Sequence, residues 1–251
     1  MITVKNLYKS FDNRQILKDI NLEFLPQKNN LIIGRSGSGK TVLMKCLVGL
    51  LEPNQGEILF DGTNFVLTDK KTIHAIRRDI GMVFQGGALF DSLNVEANVM
   101  FPLDIYTNMT LSEKRQRANF CLERVNLAGT NKLFPPELSG GMKKRAAIAR
   151  AIATNPKYLF CDEPNTGLDP QTSAVIDALI SEITQEFKTI TIINTHDMNS
   201  VMQMGDNIAF IHEGQVWWKG DKNNICATEN AELITFLESS ELTKRVLLSH
   251  K

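Results

Sequence analysis

The run GRSGSGKT, which begins at Gly34, has the composition and spacing of a phosphate-binding loop. It matches the pattern G-x-x-x-x-G-K-[ST] and lies between a predicted buried strand and a predicted helix. Its glycines let backbone N–H groups curl around phosphate oxygens. Lys40 is placed to reach the β- and γ-phosphates, and the Thr41 hydroxyl to ligate Mg²⁺. The run therefore predicts a nucleotide site, and the alternative is an ordinary glycine-rich turn.

Polar residues also follow three other apolar segments. Asp162 and Glu163 end the run YLFCDE, where the first acid can hold Mg²⁺ and the second can take a proton from water. Gln85 follows IGMVF, and His196 follows ITIINT. Ligand-binding groups gather at the carboxyl ends of parallel strands, so we expect both to face the γ-phosphate and its water. Taken alone, each of these residues could instead be structural.

Composition limits the classes of protein that fit. The 251 residues include 28 basic and 28 acidic side chains, so the basic excess typical of nucleic-acid-binding proteins is absent, and no nucleic acid partner is expected. Four cysteines show neither close pairing nor zinc spacing, and we expect buried free thiols. The N-terminus lacks the apolar core of a signal peptide, and no apolar run reaches the length of about 18 residues that spans a bilayer. We expect a soluble chain that can dock on a membrane protein.

Strand patterns alternate with helical patterns along most of the chain, which indicates an α/β fold with a mainly parallel sheet. Short antiparallel strands are predicted at both ends, including a hairpin with its turn at Glu213-Gly214. We predict a main domain over residues 1–228, within which about 86–153 form a helical lobe. Residues 229–251 are predicted to be an amphipathic helical extension.

Local signals mark helix starts. Thr110 and Glu113 predict a capping box that opens one helix. Asp169, followed by Pro170, predicts the start of another. The basic run Lys143–Arg145 is expected to lie on a solvated helix face.

The phosphate loop, Gln85 and the runs LSGGM, CDEP, NTGLDP and NTHD occur in the order and spacing of the nucleotide-binding subunits of ABC transporters. The chain resembles that family from residue 1 to about residue 220. The resemblance implies a P-loop NTPase core with a mainly parallel sheet, an antiparallel β subdomain and an inserted α-helical subdomain. It also implies hydrolysis of ATP with Mg²⁺ as cofactor.

The resemblance carries functional roles to the matching positions. Those implied in nucleotide binding are Phe11, Gly34, Ser36, Gly37, Ser38, Gly39, Lys40, Thr41, Val42, Ser139, Gly140 and Gly141. Metal contacts are implied for Thr41, Gln85 and Asp162, and catalytic roles for Gln85, Glu163 and His196. Phe11 would stack on adenine, although a flat apolar ring also suits a core.

The glycine-bearing helix start at Ser139 has a different implied role, because one phosphate loop already serves the nucleotide. In the family that the chain resembles, two subunits pack head to tail, and each LSGG binds the γ-phosphate that the partner holds, which the helix dipole favours. A second copy of the chain is therefore an implied partner. Asp169 falls in the loop that family members press against the opposite subunit. Met142 departs from the family, which most often has Gln there.

The segment after Gln85 resembles one group within the family. GGALFDSL, NVMFPL and LSGGM are similar to the ATPases of Mla/Mce-type phospholipid transport systems. That similarity implies an integral membrane permease docked near residues 86–101, a lipid-binding Mce-type component, and a peripheral position on the cytoplasmic face of the inner membrane. Leu89, Phe90 and Phe101 would form an apolar rim for a permease helix, or would belong to the core of the helical lobe.

Two other functions stay open at this point. The chain could serve an importer for a small polar solute, or it could be a soluble ABC ATPase that acts on nucleic acid. The second is disfavoured because the chain has one cassette, no long coiled-coil or zinc insertion, and no basic excess.

Overall fold

The computed structural model describes residues 1–12, 14–239 and 243, and the chain forms two compact units. The first unit combines Met1–Ile76 with Ile190–Lys251, and the second is Arg77–Thr189. The boundary between them falls inside α2 (Lys70–Arg78). Each unit contains strands as well as helices, in agreement with the predicted α/β class.

An antiparallel sheet in the first unit contains the N-terminal strands. Its order is β2-β1-β4-β5, made of β1 (Ile2–Phe11), β2 (Arg14–Phe24), β4 (Gln55–Phe60) and β5 (Thr63–Asn64). Ile2 and Val4 are buried with a less buried residue between them, because successive side chains of a strand point to opposite faces. The sequence predicts short antiparallel strands at this end of the chain, and that prediction is confirmed.

Four further strands of the first unit carry its functional loops. Their order is β10-β9-β3-β8, made of β3 (Asn29–Ile33), β8 (Ile190–Thr195), β9 (Asn207–His212) and β10 (Gln215–Gly220). Strand β3 runs parallel to both neighbours, β8 and β9, and β10 closes an antiparallel hairpin with β9. Every residue of β3 and β8 is buried, as expected for central strands of a parallel sheet. The helices of this unit are α1 (Lys40–Leu47), α7 (Met198–Met204) and α8 (Ala231–Leu237).

The second unit pairs two parallel strands with four helices. Strand β6 (Ile80–Val83) runs parallel to β7 (Tyr158–Asp162). The helices are α3 (Val95–Tyr106), α4 (Leu111–Arg124), α5 (Gly140–Ile152) and α6 (Pro170–Glu186). Helices α3, α4 and α5 fall within 86–153, where the sequence predicts a helical lobe. The boundaries of that lobe stay a prediction.

Helix ends in the second unit follow the capping signals of the sequence. Thr110 and Glu113 form the predicted capping box at the start of α4, with each side chain bonded to the other's backbone N–H. The side chain of Asp169 accepts the N–H of Thr172 at the start of α6, and Pro170 is the first residue of that helix. Both signals are local, so they do not depend on how the rest of the chain packs.

Helix α5 is enclosed by its neighbours. It contacts α3, α4 and β6, and the residues buried along it include Ala146, Ala147, Ala149 and Ala151. Small side chains let neighbouring elements approach closely, so little of this helix can face solvent. Polar side chains along α5 must therefore find partners within the unit.

All four cysteines are buried and free, as predicted. Burial raises the pKa of both Cys46 and Cys121 to about 11, so these thiols stay protonated near neutral pH. None of the helices in the part of the chain that the structure describes is long and apolar enough to cross a membrane. Within the predicted extension, α8 is the helix described, while residues 240–242 and 244–251 lie outside the described residues.

Candidate functional site

The phosphate loop connects β3 to α1 in the first unit. Gly34 has a φ of 151°, and a Cβ there would lie 2.2 Å from the carbonyl oxygen of Ile211. Gly39 has a φ of 107° and caps α1 without a side-chain hydrogen bond to the first turn. These two positions require glycine because the first has no room for a side chain and both have left-handed φ values. The loop is thus held in a curl that leaves the start of α1 uncovered by any cap side chain.

Two buried polar groups lie inside this loop. The Lys40 side chain is 7% exposed, and its Nζ donates to the carbonyls of Gly34 at 2.8 Å and Arg35 at 3.2 Å. The Ser38 hydroxyl is buried and has no hydrogen-bond partner among the described residues. A buried hydroxyl without a partner is costly, so an incoming acceptor would satisfy it. A buried ammonium and an available hydroxyl in one glycine-rich curl fit a bound phosphate chain.

The hairpin of β9 and β10 supports the phosphate loop from one side. The N–H of Gly214 donates to the carbonyl of Ser38 at 3.2 Å, and the N–H of Lys18 donates to the carbonyl of Gly214 at 2.8 Å. Glu213 and Gly214 both have positive φ, at 48° and 78°, which suits a two-residue hairpin turn. The turn predicted from sequence is confirmed, and its position ties the loop to strand β2.

Two other predicted site residues lie in the first unit. Phe11 ends β1 and is 41% exposed, so the core alternative for this ring is wrong. Its role in stacking on adenine stays a prediction. His196 is exposed directly after β8, at the carboxyl end of the strand where ligand-binding groups are expected.

Asp162 and Glu163 lie at the end of β7 in the second unit. Asp162 is the last residue of the strand and is buried, whereas Glu163 is half-buried and has a φ of 50°. The Thr166 hydroxyl donates to the Glu163 carboxylate at 3.3 Å. A left-handed backbone at a residue other than glycine costs roughly 1 kcal/mol or more and persists where the surroundings hold it. The two neighbouring acids thus differ in burial, and their roles in holding Mg²⁺ and accepting a proton stay predictions.

Gln85 lies in the loop that follows β6, and its side chain is exposed. Its backbone carbonyl accepts a hydrogen bond from the buried Nζ of Lys144 on α5. Further along the loop, Arg150 donates to the carbonyls of Gly87 and Ala88, both at 2.7 Å. Two cations of one helix therefore hold this loop by its backbone.

These contacts correct the expected position of the basic run. Lys144 is 7% exposed rather than solvated, and Arg145 donates to the carbonyl of Asn126 at 2.8 Å. Successive residues of a helix point about 100° apart, so three adjacent cations cannot share one face. The signal available in the sequence was the alanine-rich remainder of α5, which indicates a helix enclosed on several sides.

The second glycine-bearing helix start is open. Ser139 caps α5, and its Oγ accepts the N–H of Met142 at 3.3 Å. A groove of about 520 Å³ lies beside it, lined by Ser139, Gly140, Gly141 and the segment from Gly167 to the first turn of α6. A Cβ on Gly141 would approach the Thr172 methyl group to 2.8 Å. Two helix N-termini therefore border one open groove; that of α6 is capped by the Asp169 carboxylate, and that of α5 favours an anion.

Asp169 borders the same groove as the cap of α6. Hydrogen bonds from the Thr172 side chain and then its backbone hold the pKa of this carboxyl below its ordinary value. The charged form is therefore the one that caps the helix. A further role against a second subunit stays a prediction.

An apolar groove of about 340 Å³ lies near the end of α3. Phe90 and Phe101 line it with ring centroids 4.6 Å apart, and they are 41% and 37% exposed. The core alternative for Phe101 is therefore wrong. Leu89, expected on the same rim or in the core of the helical lobe, is half-buried and is not among the lining residues. The loop turns at Ala88, whose φ is 47°.

Comparison with known proteins identifies the class. The ABC transporter family model matches residues 17–166, which is more than half of the chain. The chain therefore belongs to the ABC transporter family and is an ATP-binding ATP hydrolase of that family. Its P-loop α/β fold, predicted from sequence, is confirmed. The dimeric bacterial ABC transporter cassette MJ0796 aligns with a TM-score of 0.81 and 33% identity over 88% of this chain and 99% of that one. The same cassette is known in a post-hydrolysis state bound to ADP and Pi.

Three relatives are ATP-binding proteins of different transport systems, so they do not identify the cargo of this chain. The intermembrane phospholipid transport system ATP-binding protein MlaF of Haemophilus influenzae is 37% identical over 95% of this chain and 90% of the relative. The probable ribonucleotide transport ATP-binding protein mkl of Mycobacterium leprae is 36% identical over 96% of this chain and 70% of the relative. The methionine import ATP-binding protein MetN of Campylobacter jejuni is 37% identical over 96% and 76%. Their cargoes differ, although their identities to this chain are nearly equal.

Proposed function

We propose that this ATP hydrolase works as a head-to-tail dimer and powers phospholipid transport through a separate membrane permease. The observation that carries the proposal is the exposed aromatic groove that shares residues with the Gln85 loop. A surface of that kind next to a predicted catalytic residue suits a partner that regulates ATP turnover. Similarity to MlaF over most of both chains supports phospholipid as the cargo.

Each nucleotide would be held by two copies of the chain. The phosphate loop of one copy would bind the phosphates through its backbone N–H groups, Lys40 and the Ser38 hydroxyl, and Phe11 would stack on the adenine. Ser139 and Gly141 of the other copy would contact the γ-phosphate, because the N-terminus of α5 carries a partial positive charge. The exposure of Ser139 and the open groove beside it support this arrangement.

Thr41, Gln85 and Asp162 would hold Mg²⁺. Their hydroxyl, amide and carboxylate oxygens are the ligand types that this cation prefers. Bound Mg²⁺ neutralises charge on the β- and γ-phosphates. Asp162 is buried at the end of a strand, so its carboxylate has a fixed direction from which to bind a cation.

Hydrolysis would depend on two further side chains of the same family pattern. Glu163 would take a proton from the attacking water, and its strained backbone position supports a role that packing alone does not explain. His196 would hold the γ-phosphate from the carboxyl end of β8. Both groups would act on a nucleotide that the phosphate loop keeps in place.

The permease would dock a helix in the groove lined by Phe90 and Phe101. This arrangement would place the chain on the cytoplasmic face of the inner membrane, with an Mce-type lipid-binding component as a further partner. An importer of a small polar solute is the second candidate, because MetN is as similar to this chain as MlaF is. The ATP chemistry would be the same in both cases.

The chemistry is tested with Glu163→Gln. The amide fills the same space but cannot accept the proton, so we expect ATP affinity to be kept and turnover to fall about a hundredfold or more. Nucleotide affinity and steady-state hydrolysis by the purified protein give both values. Turnover near that of the wild type would remove Glu163 from the role of base.

The cargo is tested on the whole transport complex. Replacing Phe90 and Phe101 with Asp puts charge into an apolar contact, so binding of the permease should fail while ATP binding persists. Phe120→Asp is a matched control, because this ring is also exposed but does not line the groove. Phospholipid extracted from the complex, together with lipid movement that requires Glu163, supports the proposal. A co-purifying permease that moves a polar solute and no lipid contradicts it.

A further inference from the structure

The loop that starts at Gln85 is attached to α5 at two points. The buried Nζ of Lys144 donates to the carbonyl of Gln85, and the Arg150 guanidinium donates to the carbonyls of Gly87 and Ala88. Arg150 also lies over the ring of Phe90, 5.9 Å from its centroid. We call residues 85–90 the tethered loop, because its backbone is held by side chains of a helix that is distant in sequence.

The hydrogen bond from Lys144 to the Gln85 carbonyl requires a charged side chain to be buried. Its side chain is 7% exposed, and no carboxylate in the described part of the chain forms a salt bridge with it. A buried cation without a paired anion is unfavourable, and a neutral donor would serve a carbonyl at lower cost. The charge at this position therefore calls for an explanation beyond packing.

The groups around the Lys144 amine offer an explanation for its charge. Burial lowers the pKa of Lys144, while electrostatic interaction with Cys161 and Glu163 acts in the opposite direction. The Nζ of Lys144 donates directly to the Gln85 carbonyl, and its charge is favoured by Glu163, the residue after β7. It connects the two predicted catalytic residues of this unit to the helix that starts at Ser139.

We propose that Lys144 is a positioning residue for ATP hydrolysis, which fixes the Gln85 carbonyl to α5 and so keeps Gln85 in place relative to Glu163. This inference rests on the proposed roles of Gln85 and Glu163. The geometry also gives the apolar groove a route to the site. Arg150 contacts the loop next to Phe90, and Lys144 contacts its first residue. A partner seated on Phe90 would thus act on a loop that cannot shift without straining bonds to α5.

The test compares Lys144→Met with Lys143→Met. Met keeps the length and apolar stem of Lys but cannot donate, and Lys143 is the adjacent residue of α5, with no side-chain hydrogen bond to the tethered loop. We expect Lys144→Met to lower kcat about tenfold or more, because a charged hydrogen bond is lost, while the KM for ATP stays within about twofold. Lys143→Met should change neither value.

Lys144→Arg provides the rescue. It restores a donor and a charge, so its kcat should exceed that of Lys144→Met several-fold. The two variants are compared in preparations in which the same fraction of chains binds ATP. Lys144→Leu, which is also apolar and cannot donate, replaces Lys144→Met if the latter does not fold. A purely structural role would instead lower the melting temperature and the fraction of protein that binds ATP, with kcat per binding-competent chain unchanged. That pattern, or equal impairment of the Met and Arg variants, overturns the proposal.

Glu163→Gln measured in parallel separates this inference from the proposed function. If Glu163→Gln retains turnover, the assigned base is wrong and the positioning role falls with it. If Glu163→Gln is inactive while Lys144→Met has wild-type kcat and KM, the role of Lys144 alone is wrong. If both lose kcat and keep ATP affinity, and Lys144→Arg recovers activity, the positioning role is supported.

Discussion

The phosphate loop and the helix start at Ser139 are both glycine-bearing helix N-termini, but they are built differently. In the phosphate loop, glycine backbones form a tight curl, and Lys40 is buried among the loop's own carbonyls. At Ser139 the cap residue is exposed, and the neighbouring groove is open. The first is an enclosure for phosphate, whereas the second is a surface that an anion can contact from outside.

This difference indicates a division of labour. An enclosure made by one chain can bind a nucleotide by itself, because its donors all belong to that chain. An open helix start offers few contacts and gains affinity when another molecule brings the anion to it. We therefore expect lesions at the two places to affect different steps, although both remove phosphate contacts.

The largest effects are expected from single substitutions, one in the phosphate loop and one at the helix start at Ser139. Lys40→Ala should weaken ATP binding by the isolated chain about tenfold to a hundredfold, because it removes a charged contact to the phosphates. Ser139→Arg should leave that affinity within about twofold but reduce hydrolysis to background, since a large side chain would block the open helix start. Equilibrium nucleotide binding and steady-state hydrolysis distinguish the two. Equal loss of ATP affinity in both variants would contradict the division.

The features that the sequence predicts correctly are local. Each of them depends on a few neighbours in the chain and lies where expected. They are the glycines of the phosphate loop with Lys40, the capping residues Thr110 and Asp169, and the turn at Gly214. Backbone geometry restricts such positions so strongly that residue type alone predicts them.

What the sequence did not predict depends on packing between distant segments. Lys144 was expected in solvent, because a run of three cations usually marks a wet face. It is instead buried against a loop that lies about sixty residues earlier in the chain. This burial follows from the packing of neighbouring elements around α5, which the run of cations alone does not indicate. For Leu89 the sequence left a permease rim and the core of the lobe open, and the residue is half-buried next to a left-handed turn at Ala88.

A second experiment mixes the two lesions. In a head-to-tail dimer of one Lys40→Ala chain and one Ser139→Arg chain, one site contains both lesions and the other contains neither. Such heterodimers should recover up to about half of wild-type turnover, because a two-fold dimer pairs the phosphate loop of each chain with the Ser139 helix start of the other. If each chain built its site from its own two helix starts, every site would have one lesion. Verified heterodimers without activity would therefore count against the head-to-tail arrangement.

The smallest effect concerns Asp169, which borders the open groove. Its pKa lies below the ordinary value in the folded chain because of hydrogen bonds from the Thr172 side chain and backbone. Such a carboxyl contributes stability that is present above the ordinary aspartate pKa and is lost as pH falls through the lower folded-state value. The melting temperature of Asp169→Ala should therefore be lower than that of the wild type by roughly 2–4 °C at pH 7, and the difference should shrink toward pH 3.

Asp69 provides the matched control for this last prediction. It also caps a turn through a threonine, with the Thr72 N–H donating to its carboxylate at 3.0 Å, and hydrogen bonds from Thr72 likewise lower its pKa. It belongs to the first unit, whereas the open groove belongs to the second. Asp69→Ala should thus show a similar pH-dependent loss of stability. Its ATP-driven dimerisation should be unchanged, which size-exclusion chromatography measures when both Asp variants are made in Glu163→Gln protein. If Asp169→Ala also dimerises normally, the groove is not a contact surface at that residue, and Asp169 only caps α6.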